Sequence, residues 1–497
     1  MSWCLEPQTC PGVFYGTTAQ DGTLLRLRVP GGCLYPAQVQ ALVDLGQQYA
    51  LETLQVTNRA NLQLRAVATA PTAPMLRQLQ HQGLAAQDPR LDHLRNIMAS
   101  PTAGIDPQEL LNTRPWCKAL DTWIQRSLHL VGLPAKFSIG LDGGGTVAIG
   151  TRAPQAWVHR YNEIQLSVVQ VSEFEGLPPG THWQLALGGD RQLFPTPVLI
   201  AIEDCVTAVA ALSQVYRDYV AQNPLPTGKK PRLKHLLQDW GIERYLERVE
   251  GHLPRPWLRH QPPMPRPAQT DGHLGVHSQR QAGQVYVGVA LPLGQLTLTQ
   301  LQGLAHIAQR WGPGELRLTP WQGILIPHIP EAQVSQVLAA LTAMGLSTPA
   351  AHERALVACT GKPGCGAAAT HTQIHARALL QTLNTQLALD TPVNIHLSAC
   401  PKGCAQPSPA ELTLLGTENI AGEDCYHLYL GAPEGEPLYA AIPATQLPAQ
   451  VLNLLRVYQQ HRTSPQESFG EFAQGFQDWP LALSDATDTW LAPVAHA

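Results

Sequence analysis

Charge is scarce in this chain: only 14% of its 497 residues are Asp, Glu, Lys or Arg, and 33 basic residues face 37 acidic ones. At a net charge of −4 there is no basic surplus to neutralise phosphates, which argues against nucleic acid as a partner. Long apolar runs are missing too. The most apolar stretch, Val198 to Leu212, is interrupted by Glu203 and Asp204 and falls short of the roughly 20 residues that span a bilayer. The opening M-S-W-C-L-E-P-Q has neither the basic start nor the apolar core of a signal peptide, so a cytoplasmic chain with no membrane partner is expected. Ten cysteines in a chain this long are too few for a disulfide framework. No dinucleotide-binding glycine fingerprint appears, so electrons from NAD(P)H would have to arrive through a partner protein.

What is present is a pattern among the cysteines. Cys359 and Cys365 stand in A-C-T-G-K-P-G-C, and Cys400 and Cys404 in S-A-C-P-K-G-C. Two close pairs, C-x5-C and C-x3-C, supply the four thiolates that a [4Fe–4S] cluster needs, with Pro and Gly between them to bend the backbone. A structural zinc site, which prefers pairs two to four residues apart, and four unrelated thiols are the alternatives. Cys4, Cys10, Cys33, Cys117, Cys205 and Cys425 show no ligand spacing and read as buried free thiols. His371 and His375 stand one helical turn apart, as paired metal ligands or as ordinary residues of a helix.

The chain also repeats itself. Residues 30–64 align without a gap onto residues 292–326, so that Pro30 meets Pro292, Gly32 meets Gly294, Gln38 meets Gln300 and Leu54 meets Leu316. Each copy reads as strand, turn, helix, strand, a small α+β unit. Beyond the copies, K-F-S-I-G-L-D (from Lys136) is similar to V-N-I-H-L-S-A (from Val393). A duplicated protein with pseudo-two-fold symmetry is expected. The second half holds the cysteines, while the first places Arg59, Arg65, Arg95 and Lys136 at the ends of its elements. Cations from three segments of a charge-poor chain suggest an anion site; each alone reads as surface charge, and Arg65 at a strand end as that only. G-L-D-G-G-G-T (Gly140 to Thr146) reads as a hairpin turn rather than a phosphate loop. The basic run T-G-K-K-P-R-L-K (from Thr227) reads as a solvated face at a helix start, or else as a docking patch for an acidic electron carrier or an outer contact to substrate carboxylates.

The paired cysteines, T-x-R-x-x-x-Q-L-R (57–65), the R-N pair (95–96) and P-x-K-F (134–137), in this order, resemble the sulfite/nitrite reductase superfamily. The resemblance implies an α+β fold of sulfite/nitrite reductase type: two ferredoxin-like half-units and two larger α/β lobes. It divides the chain into half-unit 1 (10–70), lobe 1 with a basic tetrapyrrole pocket (85–250), a Pro-rich linker (251–270), half-unit 2 (271–335) and lobe 2 with the cysteines (345–485). It implies a [4Fe–4S] cluster on Cys359, Cys365, Cys400 and Cys404, and a pocket in which Arg59, Gln63, Arg95 and Lys136 bind a tetrapyrrole. No catalytic residue is singled out.

Within the superfamily two details point to one branch. Where sulfite reductases have a second lysine two positions after Lys136, and nitrite reductases tend to have Asn, this chain has Ser138. C-P-K-G-C-A-Q-P-S-P and the C-P-G-V-F-Y opening (Cys10 to Tyr15) look most like the cobalamin-pathway branch, the precorrin-3B synthases. The expected function is therefore O2-dependent ring hydroxylation of precorrin-3A, with lactone formation, and non-heme iron as a possible further cofactor. The alternative is a ferredoxin-dependent siroheme sulfite or nitrite reductase, with siroheme beside the cluster. A ferredoxin or an NAD(P)H-dependent reductase is the expected electron donor.

Overall fold

The computed structural model describes residues 4–5, 11–149, 161–171, 179–189, 193–260, 268–269, 271–346, 352, 355–406, 408–476 and 479. The chain divides into two compact units. The first comprises Met1–Thr18, Gly22–Val289 and Gly294–Thr348; the second comprises Ala19–Asp21, Ala290–Leu293 and Pro349–Ala497.

The repeat is carried element by element inside the first unit. Strand Gly22–Leu27, helix Pro36–Gln48, strands Thr53–Val56 and Leu62–Val67 and helix Ala73–His81 form the first copy. Strand Gln284–Val289, helix Leu298–Trp311, strands Leu316–Leu318 and Ile324–Pro330 and helix Val334–Ala343 form the second. Local chemistry starts the helices in both. Pro36 opens one at a position where its missing N–H costs nothing, and Thr297 accepts the Gln300 N–H at 3.1 Å in a capping box at the other. The match extends to the backbone: Ala60 and Gln322, like Ala66 and His328, are left-handed residues separated by the same 262 positions. A left-handed non-glycine residue is uncommon enough that two such coincidences mark common descent of the turns.

Each copy lends the other a strand. Cys33–Leu34 pairs antiparallel with Leu316–Arg317 at the edge of the second copy's sheet, and Gln295–Thr297 pairs with Thr53–Gln55 at the edge of the first. The helices Pro36–Gln48 and Leu298–Trp311 pack together, close enough that a Cβ on Gly46 would meet Leu298 Cδ2 at 2.4 Å.

The first lobe continues this unit as a six-stranded sheet. Ile97–Ala99, Ile139–Asp142 and Ile164–Val171 run parallel, and Gly180–Gly188, Leu193–Ala201 and Leu258–Arg259 follow antiparallel. The apolar stretch from Val198 is the end of one strand and the start of helix Cys205–Gln222, with Glu203 and Asp204 in the turn between. Tyr216 of this helix joins Trp183 and Phe137 in the core. G-L-D-G-G-G-T is not a hairpin: the strand it leaves runs parallel to the next one, so the chain must cross over. Asp142 closes the loop by accepting the Gly144 and Ile149 N–H groups at 2.9 and 3.2 Å. Of the expected linker, Trp257 is packed against the first lobe's core and Leu258–Arg259 joins its sheet, whereas 261–267 and 270 fall outside the described residues.

The second unit repeats the lobe. Leu356–Ala358, Ile395–Ser398 and Leu412–Glu418 run parallel, then Asp424–Leu430 and Tyr439–Pro443 antiparallel. Helices Thr372–Gln386 and Leu447–His461 occupy the places held in the first lobe by Arg114–Arg126 and Cys205–Gln222. The duplicated α+β architecture expected from the repeat is thus present. Among the described residues, no helix is long and apolar enough to cross a membrane.

Candidate functional site

The parallel core of the second lobe explains how cysteines so far apart in sequence meet. Ala358 lies in register with Leu397, so Cys359 and Cys400 leave the same carboxyl edge of two neighbouring strands. That edge is where open α/β sheets place their ligands. Two tight turns bring the second member of each pair back. Gly361 has φ +65°, and a Cβ there would meet the Thr372 backbone N at 2.6 Å; Gly403 has φ +57°. The Ala399 N–H donates to Cys359 Sγ at 3.2 Å, and Thr372 Oγ1 and Gln373 Nε2 both donate to the Cys359 carbonyl, at 2.9 and 2.7 Å.

The Cys404 thiol is pushed up by burial first, and then by the charges of Cys400, Cys359 and Cys365, against a smaller downward pull from Lys402. Cys404 therefore lies within electrostatic reach of the other three thiols. Among the described residues no three His, Cys, Asp or Glu side chains are grouped as ligands of a metal ion. His371 and His375 are committed elsewhere: His371 Nδ1 lies 2.8 Å from Asp424 Oδ2, and His375 Nδ1 lies 2.9 Å from the Tyr426 hydroxyl.

In the first unit, the segments carrying the basic residues are joined by hydrogen bonds. Arg59 donates to Asn162 Oδ1 at 2.8 Å and to the Tyr161 carbonyl at 2.9 Å. Asn61 donates to Asn96 Oδ1 at 3.0 Å, and Asn96 donates to the Phe137 carbonyl at 3.3 Å. The loop of Arg59, the R-N pair and the K-F-S strand entry are in this way held together. Lys136 itself is exposed. Ser138 is fully buried, its Oγ accepting the Glu163 N–H at 3.2 Å. Gln63 is in a row with Arg26, which donates to it at 2.9 Å, and Gln55, to which it donates at 3.1 Å.

Arg95 is turned the other way. Only 2% exposed, it grips Asp121 through Nε and Nη2 at 2.7 and 3.0 Å and the Gly83 carbonyl at 2.9 Å. Burial works against its charge, but the Asp121 carboxylate more than compensates and raises its pKa above the ordinary value. Arg95 lines a cavity of about 530 Å³ together with Arg114, Lys118, Arg317 and Cys33. Arg59, Gln63 and Lys136 do not line it. Asn162 and Arg114 were not singled out from the sequence; the available signals were the Y-N-E triplet beside the sheet entry and N-T-R-P-W at a helix start.

The ferredoxin-like half domain of nitrite/sulfite reductases matches the chain at residues 17–82 and 277–344. The 4Fe-4S domain of nitrite and sulphite reductases matches residues 91–157, in the lobe that lacks the four cysteines. The ferredoxin–nitrite reductase of Synechococcus elongatus is 33% identical over 421 residues, 82% of this chain and 78% of the relative. The chloroplastic ferredoxin–nitrite reductase of Zea mays is 28% identical over 89% of this chain and 80% of its own. Sulfite reductase [ferredoxin] 2 of Mycolicibacterium paratuberculosis is 29% identical over 83% and 74%. The NirA structure from Mycobacterium tuberculosis superposes with a TM-score of 0.72 at 24% identity, covering 92% of this chain and 84% of that one, and so shares the fold. These relatives overturn the expectation of precorrin-3A hydroxylation, for they are named as nitrite and sulfite reductases. Oxygen insertion and precorrin-3A as substrate fall with it. A third of the residues identical along most of both chains, on a duplicated fold with matching half domains, makes this chain a member of the nitrite and sulfite reductase family.

Proposed function

We propose that this chain is a ferredoxin-dependent reductase of a small oxyanion, with nitrite as the favoured substrate. Cys359, Cys365, Cys400 and Cys404 would hold the [4Fe–4S] cluster, and Arg59, Gln63 and Lys136 would face a siroheme and its anion, while Arg95 lines the cavity beside Arg114 and Arg317. The observation that carries the reading is the 33% identity to a ferredoxin–nitrite reductase along 82% of the chain. When bound, the cluster passes single electrons and the siroheme iron offers a position for the anion.

The chain's own part is electrostatic. Arg59, fixed by Asn162 and Tyr161, presents a guanidinium whose orientation is set before any ligand arrives. Arg95, gripped by Asp121, keeps one buried nitrogen, Nη1, without a protein partner beside the cavity it lines with Arg114, Lys118 and Arg317. Ser138 favours nitrite over sulfite. Its neutral hydroxyl, already used by the Glu163 N–H, offers no cation, and nitrite carries less negative charge at neutral pH than sulfite does.

The test is direct. Protein purified without oxygen, given chemically reduced ferredoxin, should convert nitrite to ammonium with six electrons per turnover. Sulfite should be reduced far more slowly. Failure to reduce either anion, in protein shown to hold both cofactors, would overturn the proposal.

A further inference from the structure

Around the first cysteine pair stands a set of charges that the reading above does not use. Lys362, three residues from both Cys359 and Cys365, pairs through Nζ with Glu418 and, at 3.4 Å, with Asp424 Oδ1. Asp424 Oδ2 accepts the His371 backbone N–H at 2.7 Å and lies 2.8 Å from His371 Nδ1. His371 precedes helix Thr372–Gln386, whose first residue holds the Cys359 carbonyl. His375 Nε2 also faces Asp424, at 3.9 Å, and is tied on its other side to Tyr426. A single carboxylate, 13% exposed, thus fastens both the turn between two cysteines and the helix start that braces the first of them.

We infer that Asp424 is a positioning residue for the cluster, acting through Lys362 and His371, and that it and Lys362 set the cluster's reduction potential in opposite senses. This rests on the four cysteines holding a cluster. The physical reason is twofold. Groups that orient the ligand-bearing backbone decide how well a metal centre is retained. Reduction adds one negative charge to the cluster, so a nearby carboxylate opposes it and a nearby ammonium favours it. Lys362, within the cysteine turn, and Asp424, on the facing strand, form a partly buried pair in which each moderates the other's effect.

Full-length protein should be prepared without oxygen as wild type, Asp424→Asn and Lys362→Met. Iron and sulfide per chain, the rate of cluster loss to a chelator and a redox titration followed by electron paramagnetic resonance are then measured. Asp424→Asn is expected to lose its cluster about 10-fold faster and to titrate at a higher potential than wild type. Lys362→Met should titrate at a lower one. A purely packing role would not produce shifts of opposite sign. Should Asp424→Asn fail to accumulate, Glu418→Gln, on a half-exposed partner of the same lysine, should also shift the potential upward. Wild-type lability and an unchanged potential in Asp424→Asn would refute the inference while leaving the cluster intact. Wild-type protein without iron and sulfide would instead remove the cluster assignment, and this inference with it.

Discussion

Gly361 has no room for a side chain: besides its left-handed backbone, a Cβ would come within 2.2 Å of Thr372 Oγ1 and 2.6 Å of the Thr372 nitrogen. Gly361→Ala should therefore displace the turn between Cys359 and Cys365, at a cost of roughly 1–3 kcal/mol. The expected result is reduced iron content with unchanged far-ultraviolet circular dichroism. Cys400→Ser should lose iron as sharply, whereas Cys425→Ser should not, since that thiol is buried within the strand Asp424–Leu430. Full iron and sulfide in Cys400→Ser would remove it from the ligand set. The cysteine pairs were legible because a thiol ligand must be a thiol and must recur at close spacing. The partners of the arginines were not. Asn162 and Asp121 are ordinary polar residues until the fold places them 2.8 and 2.7 Å from Arg59 and Arg95.

Strand Ile395–Ser398 lies second in the sheet of the second lobe, and its His396 is 4% exposed with Nε2 lacking any protein partner. Burial lowers the His396 pKa to about 4, from an ordinary value near 6.5. Between those values the unfolded chain binds the proton and the folded one does not, so stability falls as the pH drops from about 6.5 to about 4. The loss amounts to roughly 3 kcal/mol at most. Denaturant unfolding at pH 7 and pH 5 should show a smaller difference for His396→Gln than for wild type; an equal difference would place the acid sensitivity elsewhere. At this scale the sequence reading succeeded where a signal was periodic or local. The repeated strand, helix and strand units carried alternation, Pro and capping Gln, and all of them formed. The glycine run after Asp142 misled because turn composition describes how a chain bends locally, and carries nothing about whether the next strand returns alongside or crosses over.

Across the whole chain, the cysteines belong to one lobe and the basic segments to the other unit, although both sheets run three parallel strands and then antiparallel ones, six strands in one and five in the other. A ligand that binds the folded state alone stabilises what it binds. Removing the cluster should therefore lower the melting midpoint of the second unit and leave that of the first nearly unchanged, seen as two transitions in calorimetry; a uniform shift of a single transition would contradict this. The branch of the family was the least legible feature. The four cysteines and the basic segments mark the family and not a branch of it, and a neutral Ser138 or a motif's flavour is a few residues set against 33% identity over 421. The exchanged strands Cys33–Leu34 and Gln295–Thr297 carry their own message. Neither half-unit completes its sheet from its own sequence, and each leaves an open edge when alone. Cut free, a single half-unit would offer that edge to a second copy, and the second copy within the same chain supplies the strand from inside.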